Sequence, residues 1–400
     1  MPVTVPVVRV GRFVTPQFVP PNAVGVRASA NQYVYDTADD FFAPDIAAHL
    51  GTNLLATPRA VSARFAGMHY HAELPAIRYG VARNLDVPGC LWSGVQPASR
   101  GAFEWTALDA FVATAAAAGR DIVINLSGTP TWASARPAEA GHYANGGDAE
   151  PANVADLGTF VRAVATRYRT RGTPITAFEI CNEPKFSGGG GVEQGNYFTG
   201  TPGALAQMAK AVYGAAKSVD ASVLILSPAP TGLEYAWVSG DGSGTDHLDR
   251  FLGASDGAGG SGRDWIDALA FHAYSHDNTN NIYAIPQMVA NVRAVMARHG
   301  LSARAIWITE TSAIAPVLSS FDVRHQQAFI ARSLLLALGC GVARVIWYAW
   351  DDPLGFARQP SVAAYWDDIT GQLSGATLSL VNVLRNRQVA AIVDGKRWLV

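Results

Sequence analysis

Apolar runs and segments of helical periodicity alternate along most of this 400-residue chain. Continuous apolar runs are typical of parallel strands that are covered on both faces. Eight such runs are candidate strands, at residues 65–71, 79–85, 121–127, 175–182, 222–228, 266–274, 305–310 and 344–350. Apolar residues between several of these runs recur at helical spacing, as at Leu157, Phe160, Val161, Val164 and Tyr168.

The alternation predicts an α/β fold, and the number of strands favours a (β/α)8 TIM barrel. The first connection is the exception to the pattern. Only about seven residues separate the first two candidate strands, and a full helix does not fit in that space. We therefore expect a barrel whose first crossover is not helical.

The two ends of the chain show a different pattern. Near the N-terminus, Val3–Val5 and Val7–Val10 lie among prolines and are candidates for short edge strands. Residues 389–400 predict a hairpin with an Asp394-Gly395 turn. We expect residues 1–22 to form an extension that contributes to a small β module, 23–375 the barrel, and 376–400 strands that pack on the barrel. The glycine-rich stretches 187–191 and 239–262 are expected to be loops.

Composition narrows the class of partner. The net charge of −2 argues against a nucleic-acid-binding surface, and no apolar stretch reaches the roughly 20 residues that a membrane span needs. Aromatic residues make up 10% of the chain and include 10 tryptophans, which fits an uncharged sugar partner. The sequence does not indicate an oligomeric state.

Cysteine usage and the N-terminus bear on cofactors and location. Three widely spaced cysteines form neither a disulfide framework nor a zinc pattern, and Asp and Glu are scarce near His69 and His71, so we expect no metal and no cofactor. Residues 1–6 lack the basic start and apolar stretch of a secretion signal. The alternatives are a cytoplasmic protein and one that reaches an extracellular glycan by another route, such as a phage particle.

Two candidate strands end at a glutamate. Glu183 follows the run that begins at Ala177, and Glu310 ends the run that begins at Ala305. A barrel brings the ends of such distant strands into one pocket. Two carboxyl groups that meet there are the minimum equipment for cleaving a glycosidic bond. On its own, a glutamate that ends one apolar strand is more often a salt-bridge partner or a helix cap.

Seven motifs in order resemble the glycoside hydrolases of clan A, and most closely family 39, which holds β-xylosidases and bacterial exopolysaccharide glycosidases. The likeness spans roughly residues 60–375. The motifs are Gly-Thr-Pro-Thr-Trp-Ala-Ser at 128–134, Asn-Glu-Pro at 182–184, Tyr-Phe-Thr-Gly-Thr at 197–201, Leu-Ser-Pro-Ala at 226–229, Ala-Phe-His-Ala-Tyr at 270–274, Trp-Ile-Thr-Glu at 307–310 and Trp-Tyr-Ala-Trp-Asp at 347–351.

The resemblance implies a retaining hydrolase of an oligo- or polysaccharide. Glu183 would be the general acid/base and Glu310 the nucleophile. The resemblance further implies substrate-binding roles for Arg83, Trp132, Asn182, His272, Tyr274 and Trp350.

Structural roles remain open for several of these side chains. A salt bridge for Arg83, a turn for Asn182, and core positions for Trp132 and His272 are the alternatives.

The chain departs from the family pattern at two places. Cys181 stands where a bulky residue often precedes Asn182, and Asn84-Leu85-Asp86 replaces the usual aromatic residue after Arg83. The second departure leaves the shape of the sugar subsite open. The alternative function is a non-catalytic carbohydrate-binding barrel on a virion or cell surface, which would need aromatic residues but no paired carboxylates.

Overall fold

The computed structural model describes residues 7–9, 53–185, 196–233, 236–274, 284–312, 323–352, 356, 359–383 and 389–400. The strands, in chain order, are β1 Val7–Arg9, β2 Arg59–Ala60, β3 Ala66–His69, β4 Val81–Arg83, β5 Asp121–Asn125, β6 Ala177–Glu179, β7 Leu224–Leu226, β8 Ala268–His272, β9 Ala305–Thr311, β10 Arg344–Trp347, β11 Thr377–Val383, β12 Val389–Val393 and β13 Lys396–Leu399. The helices are α1 Trp92–Val95, α2 Thr106–Ala117, α3 Val154–Thr170, α4 Pro202–Val219, α5 Gly244–Gly253, α6 Ile285–Arg298, α7 Val323–Gly339 and α8 Pro360–Leu373.

Eight strands close into a barrel in the order β10-β3-β4-β5-β6-β7-β8-β9. Neighbouring strands are parallel, and each lies in one of the eight ranges predicted from the sequence, with β9 one residue longer than expected. The predicted (β/α)8 barrel is therefore confirmed. The connection between β3 and β4 contains no helix, as its length required.

Helix starts follow local sequence signals. Asn153 caps α3 by accepting from the backbone of Ala155, and Thr201 caps α4, which has proline at its first position. Ser243 caps α5 in the same way. This helix lies inside the glycine-rich stretch 239–262, so the expectation of a loop there was wrong over residues 244–253. The stretch 187–191 lies outside the described residues.

The barrel has an inner core of small and branched side chains. Strand side chains alternate between the two faces, and the buried inner row includes Val81, Val123, Ala177, Ala268 and Ala270. A larger cluster fills the space between the strands and the helices. Towards the carboxyl ends of these strands, the positions that continue this inner row are occupied by polar residues.

The two ends of the chain form a second sheet in the order β1-β13-β12-β11-β2. Strands β12 and β13 form the expected hairpin, and Asp394 and Gly395 at its turn have φ of 48° and 73°. Strand β2 lies inside the range expected for the barrel but pairs with β11. The candidate strand at residues 3–5 and the boundary expected at residue 22 lie outside the described residues.

The terminal sheet packs closely on helix α7. A Cβ added to Gly339 would lie 2.9 Å from the Cβ of Val381, so the helix and the sheet approach each other closely at that glycine. Among the described residues, none of the helices is both long and apolar enough to cross a bilayer.

Candidate active site

Polar side chains close the inner row at the carboxyl end of the barrel. Arg83 follows Val81, Asn125 follows Val123, Glu179 follows Ala177 and His272 follows Ala270, each two positions further along its strand. All four are 0% exposed. Period-two alternation therefore places these groups in one layer that faces the barrel axis.

Arg83 is the centre of this layer. Its Nε donates to Glu179 Oε2 at 2.7 Å and its Nη1 to Glu310 Oε1 at 2.6 Å, while Nη2 donates to Asn182 Oδ1 at 2.9 Å. Asn125 Nδ2 donates to the same oxygen of Glu179 at 2.7 Å. The pKa of Arg83 is raised because the charges of Glu179 and Glu310 outweigh the effect of burial. The buried, permanently charged guanidinium of Arg83 thus links β4 to residues on or just after β6 and on β9.

Asn182 and Glu183 lie just beyond the end of β6. The backbone N–H of Asn182 donates to Ser127 Oγ at 2.9 Å, and that of Glu183 to the carbonyl of Ala229 at 3.1 Å. Glu183 has a φ of 36°, in the left-handed region that a glutamate seldom occupies. Such strain costs about 1–3 kcal/mol and often marks a functional position.

Glu183 and Glu310 meet in this layer although 127 residues separate them in sequence (310 − 183). His272 lies between them, with Nδ1 2.6 Å from Glu183 Oε1 and 3.5 Å from Glu310 Oε2. One carboxylate oxygen of each glutamate and one nitrogen of His272 all lie within 4.8 Å of one another. Tyr274 donates its hydroxyl to Glu310 Oε2 at 3.3 Å.

The pKa values of the two carboxyl groups are shifted in opposite directions. Burial raises the pKa of Glu310, although His272 and Arg83 oppose it. Burial also acts to raise the pKa of Glu183, but the hydrogen bond and the charge of His272 outweigh it and the pKa is lowered. The pKa of His272 is itself raised, because the charges of Glu310 and Glu183 outweigh its burial. These shifts favour a proton on His272, next to an ionised Glu183.

Six of the residues singled out in the sequence form this network: Arg83, Asn182, Glu183, His272, Tyr274 and Glu310. The two tryptophans do not join it within the described part of the chain. The half-buried Trp132 donates to the carbonyl of Gln96 at 2.8 Å and meets Trp92 edge-on, and Trp350 is 7% exposed and belongs to the outer core.

Sequence reasoning missed a second polar group beside the network. The Tyr348 hydroxyl donates to Asp86 Oδ2 at 3.0 Å and lies 3.0 Å from His71 Nε2. His71 Nδ1 is 2.9 Å from Asp351 Oδ1. Asp86 lies in the segment 84–86 and Asp351 in the motif 347–351. Their positions just after β4 and β10 could have indicated that both lie at the carboxyl end of the barrel. Glu179 was detectable by its alternation with Ala177.

Glu183, His272 and Glu310 offer a possible set of metal ligands by their spacing. However, Arg83 already brings a positive charge to within 2.6 Å of Glu310. A divalent cation would have to share this carboxylate with the guanidinium. The donor set therefore fits a pair of reacting carboxyl groups better than a resident metal ion.

The fold and the site define the class of protein: a barrel hydrolase of glycosidic bonds. A family model described as Cellulase (glycosyl hydrolase family 5) matches residues 88–318, more than half of the chain. The chain belongs to that family and is a clan A glycoside hydrolase. A search of curated proteins found no match.

Solved structures share the fold at low sequence identity. A glucosidase from Croceicoccus marinus is 15% identical with a TM-score of 0.57, over 85% of this chain and 77% of that one. A monomeric β-xylosidase from Caulobacter crescentus CB15 is 18% identical with a TM-score of 0.57, over 85% and 75%. A family 30 endoxylanase from Clostridium papyrosolvens C71 is 13% identical with a TM-score of 0.54, over 85% and 80%.

Proposed function

We propose that this glycoside hydrolase acts with retention of anomeric configuration, with Glu310 as the nucleophile and Glu183 as the general acid/base. The observation that carries the proposal is the approach of one oxygen of each carboxyl group to within 4.8 Å. Retaining enzymes hold their carboxyl groups about 5–5.5 Å apart, whereas inverting enzymes need about 6.5–9.5 Å to admit a water molecule. The short separation favours direct attack by a carboxylate.

In the first step, Glu310 attacks the anomeric carbon while Glu183 protonates the oxygen of the leaving sugar. The glycosidic C–O bond breaks and an ester to Glu310 forms. In the second step Glu183 takes a proton from water, whose oxygen attacks the same carbon and releases Glu310. The contacts from Arg83 at 2.6 Å and Tyr274 at 3.3 Å favour the ionised Glu310 that this attack requires.

The proton that Glu183 needs is available from His272. The two side chains are joined by a 2.6 Å hydrogen bond, and the raised pKa of His272 favours a proton on its ring. Transfer of this proton along the bond gives a neutral His272 and a protonated Glu183. In that state Glu183 carries the proton that it donates to the leaving sugar. The ionised Glu310 stabilises the positive charge that develops on the attacked sugar.

The leaving group has space beside Glu183. A cavity of about 480 Å³ begins at Lys185, two residues after the acid/base, and is also lined by Thr231, Ser243 and His247. The polar side chains of these residues suit the hydroxyl groups of a further sugar unit. The glucosidase, β-xylosidase and endoxylanase titles of the similar structures also support an oligo- or polysaccharide substrate.

The proposal is tested with Glu310→Ala and Glu183→Gln, and with Glu104→Gln as a control because Glu104 is exposed on the surface. Release of reducing ends is measured from neutral and bacterial polysaccharides. We expect the first two variants to lose several orders of magnitude in rate while remaining folded, and the control to behave as wild type. NMR of the first product should show the starting anomeric configuration.

Inversion, or near-normal hydrolysis by either catalytic variant, would overturn the assignment. Binding of a polysaccharide without any release of reducing ends would favour the alternative of a carbohydrate-binding barrel.

A further inference from the structure

Asp86 occupies an unusual backbone position just beyond the carboxyl end of β4. It lies three residues after Arg83, beyond the end of β4, with a φ of 61°. Aspartate is one of the few residues that tolerates this left-handed conformation. The turn aims the carboxylate towards Tyr348, whose hydroxyl donates to Oδ2 at 3.0 Å. Its orientation is therefore fixed from both the backbone and the side chain.

The residues that hold Tyr348, the partner of Asp86, are also held by hydrogen bonds. Tyr348 lies 3.0 Å from His71 Nε2, and Asp351 accepts from the backbone N–H groups of His71, Ala72 and Glu73 at 2.6–2.8 Å. These contacts link the residues that follow β3, β4 and β10. A carboxylate held on such a frame keeps one position when a sugar arrives, which is what a selective contact requires.

Asp86 is linked through Tyr348 to the strand that carries Glu310. The backbone N–H of Tyr348 donates to the carbonyl of Thr311, the residue after Glu310, at 2.9 Å. Strands β9, β10, β3 and β4 are successive neighbours in the barrel. Burial, together with the charges of Asp86 and Glu310, raises the pKa of Tyr143, which lines the cavity beside Asp86. Both carboxyl groups therefore border the same space.

Space and hydrogen-bonding capacity are both available there. A cavity of about 530 Å³ is lined by Asp86, Leu91, His142 and Tyr143, among others. No described residue donates a hydrogen bond to the second oxygen of Asp86, Oδ1. The carboxylate can therefore accept hydrogen bonds from sugar hydroxyl groups.

The charges near this cavity are unevenly balanced. Arg83 is 0% exposed and is shared between Glu179 and Glu310. His71 is paired with Asp351. The described lining of the cavity thus contains one carboxyl group, that of Asp86, and one basic side chain, His142, which is paired with Asp148 at 2.7 Å.

We propose that Asp86 is a specificity-determining residue that selects a sugar without a carboxylate at the position attacked by Glu310. It accepts hydrogen bonds from hydroxyl groups of neutral or amino sugars and repels a uronic acid. This inference rests on the proposed function, because that function defines which sugar Glu310 attacks.

The test uses the new reducing end, which is the sugar that was attacked. Wild type is incubated with neutral β-glucans and xylans and with capsular polysaccharides that carry uronic acids in their backbones. New reducing ends are labelled by borodeuteride reduction and identified by mass spectrometry after complete hydrolysis. We expect neutral or amino sugars at these ends in wild type, and a share of uronic acid ends at least about tenfold higher in Asp86→Asn.

Two further variants control for folding and for charge in general. Asp86→Gly keeps a backbone that favours positive φ and should relax selection in the same way, with a melting temperature near that of wild type. Asp368→Asn removes an exposed aspartate on α8 and should leave the product ends unchanged.

Three results would overturn the inference in different ways. Uronic acid at most wild-type reducing ends would contradict it directly, and unchanged selection in Asp86→Asn and Asp86→Gly would assign the selection elsewhere. Both leave the proposed function intact, provided that Glu310→Ala abolishes cleavage. An enzyme that cleaves nothing in the panel would remove the proposed function and this inference together.

Discussion

Replacement of Glu183 by glutamine separates proton donation from every other contribution of this side chain. Glutamine has nearly the same shape, and its amide oxygen can still accept from His272 Nδ1 across the present 2.6 Å contact. The change in folding stability should therefore stay near or below about 1 kcal/mol. Loss of a general acid costs about 10²–10⁴ in rate, or roughly 3–5.5 kcal/mol in activation free energy.

The size of that loss should depend on the leaving group. A sugar hydroxyl or a simple phenol leaves poorly without a proton, and the full loss is expected for such substrates. A dinitrophenolate leaves without protonation, so the first step should stay close to the wild-type rate. The assay compares kcat/KM for a series of aryl glycosides of the preferred sugar in wild type and Glu183→Gln.

The second step provides an independent readout. In Glu183→Ala the space left by the side chain should admit azide, which needs no general base, and the glycosyl azide formed should have the configuration of the substrate. A loss in Glu183→Gln that is equal for all leaving groups would contradict the acid role. An azide product of inverted configuration would contradict the covalent intermediate.

Three further changes probe the groups around this pair. Arg83→Lys should lower the free energy of unfolding by about 3–5 kcal/mol, measured in urea, because one ammonium group cannot replace three buried contacts. Glu179→Gln should shift the acid limb of kcat/KM to lower pH, because Arg83 is then free to stabilise the ionised Glu310; an unmoved limb would count against this. Asp351→Asn should cost about 1 kcal/mol at pH 7 after allowance for solvent screening. Burial opposes the shift, but hydrogen bonds from the loop at 71–73 lower the pKa of Asp351 to about 2, so its stabilising effect is present above about pH 4 and is lost as the pH falls towards 2. Thermal melts at pH 7 and pH 3 should show a smaller difference between variant and wild type at the lower pH.

The barrel was predictable because its signal is repeated and local. Each strand is a short apolar run that ends at a change in composition, and each of the eight predicted ranges contains one observed barrel strand. Helix α5 was not predictable by the same reasoning. Its glycine-rich surroundings favour a loop, but Ser243 caps the segment and Leu248, Phe251 and Leu252 bury one face. Tertiary packing there outweighs the low intrinsic propensity.

The aromatic side of the pocket shows where alternation stops being informative. Strand β10 ends at Trp347, so the directions of Tyr348 and Trp350 no longer follow the period of two. The motif pointed to Trp350, whereas Tyr348 provides the hydroxyl that contacts Asp86 and His71. Contacts with loops determine where residues beyond the end of a strand lie. The partners in such contacts are distant in sequence, and no local pattern predicts them.

Burial is the main cause of the raised pKa of Glu310, the proposed nucleophile, and Arg83 offsets it only in part. Arg83 approaches Glu179 Oε2 and Glu310 Oε1 equally closely, at 2.6 Å each, so a single positive charge is divided between two buried carboxylates. Burial of Glu310 is therefore not fully compensated, and its pKa rises. A fully compensated carboxylate would be more stable as an ion and a weaker nucleophile. Because Arg83 is shared, the charge of Glu310 is only partly neutralised before the reaction. The positive charge that develops on the sugar in the transition state can therefore stabilise it further.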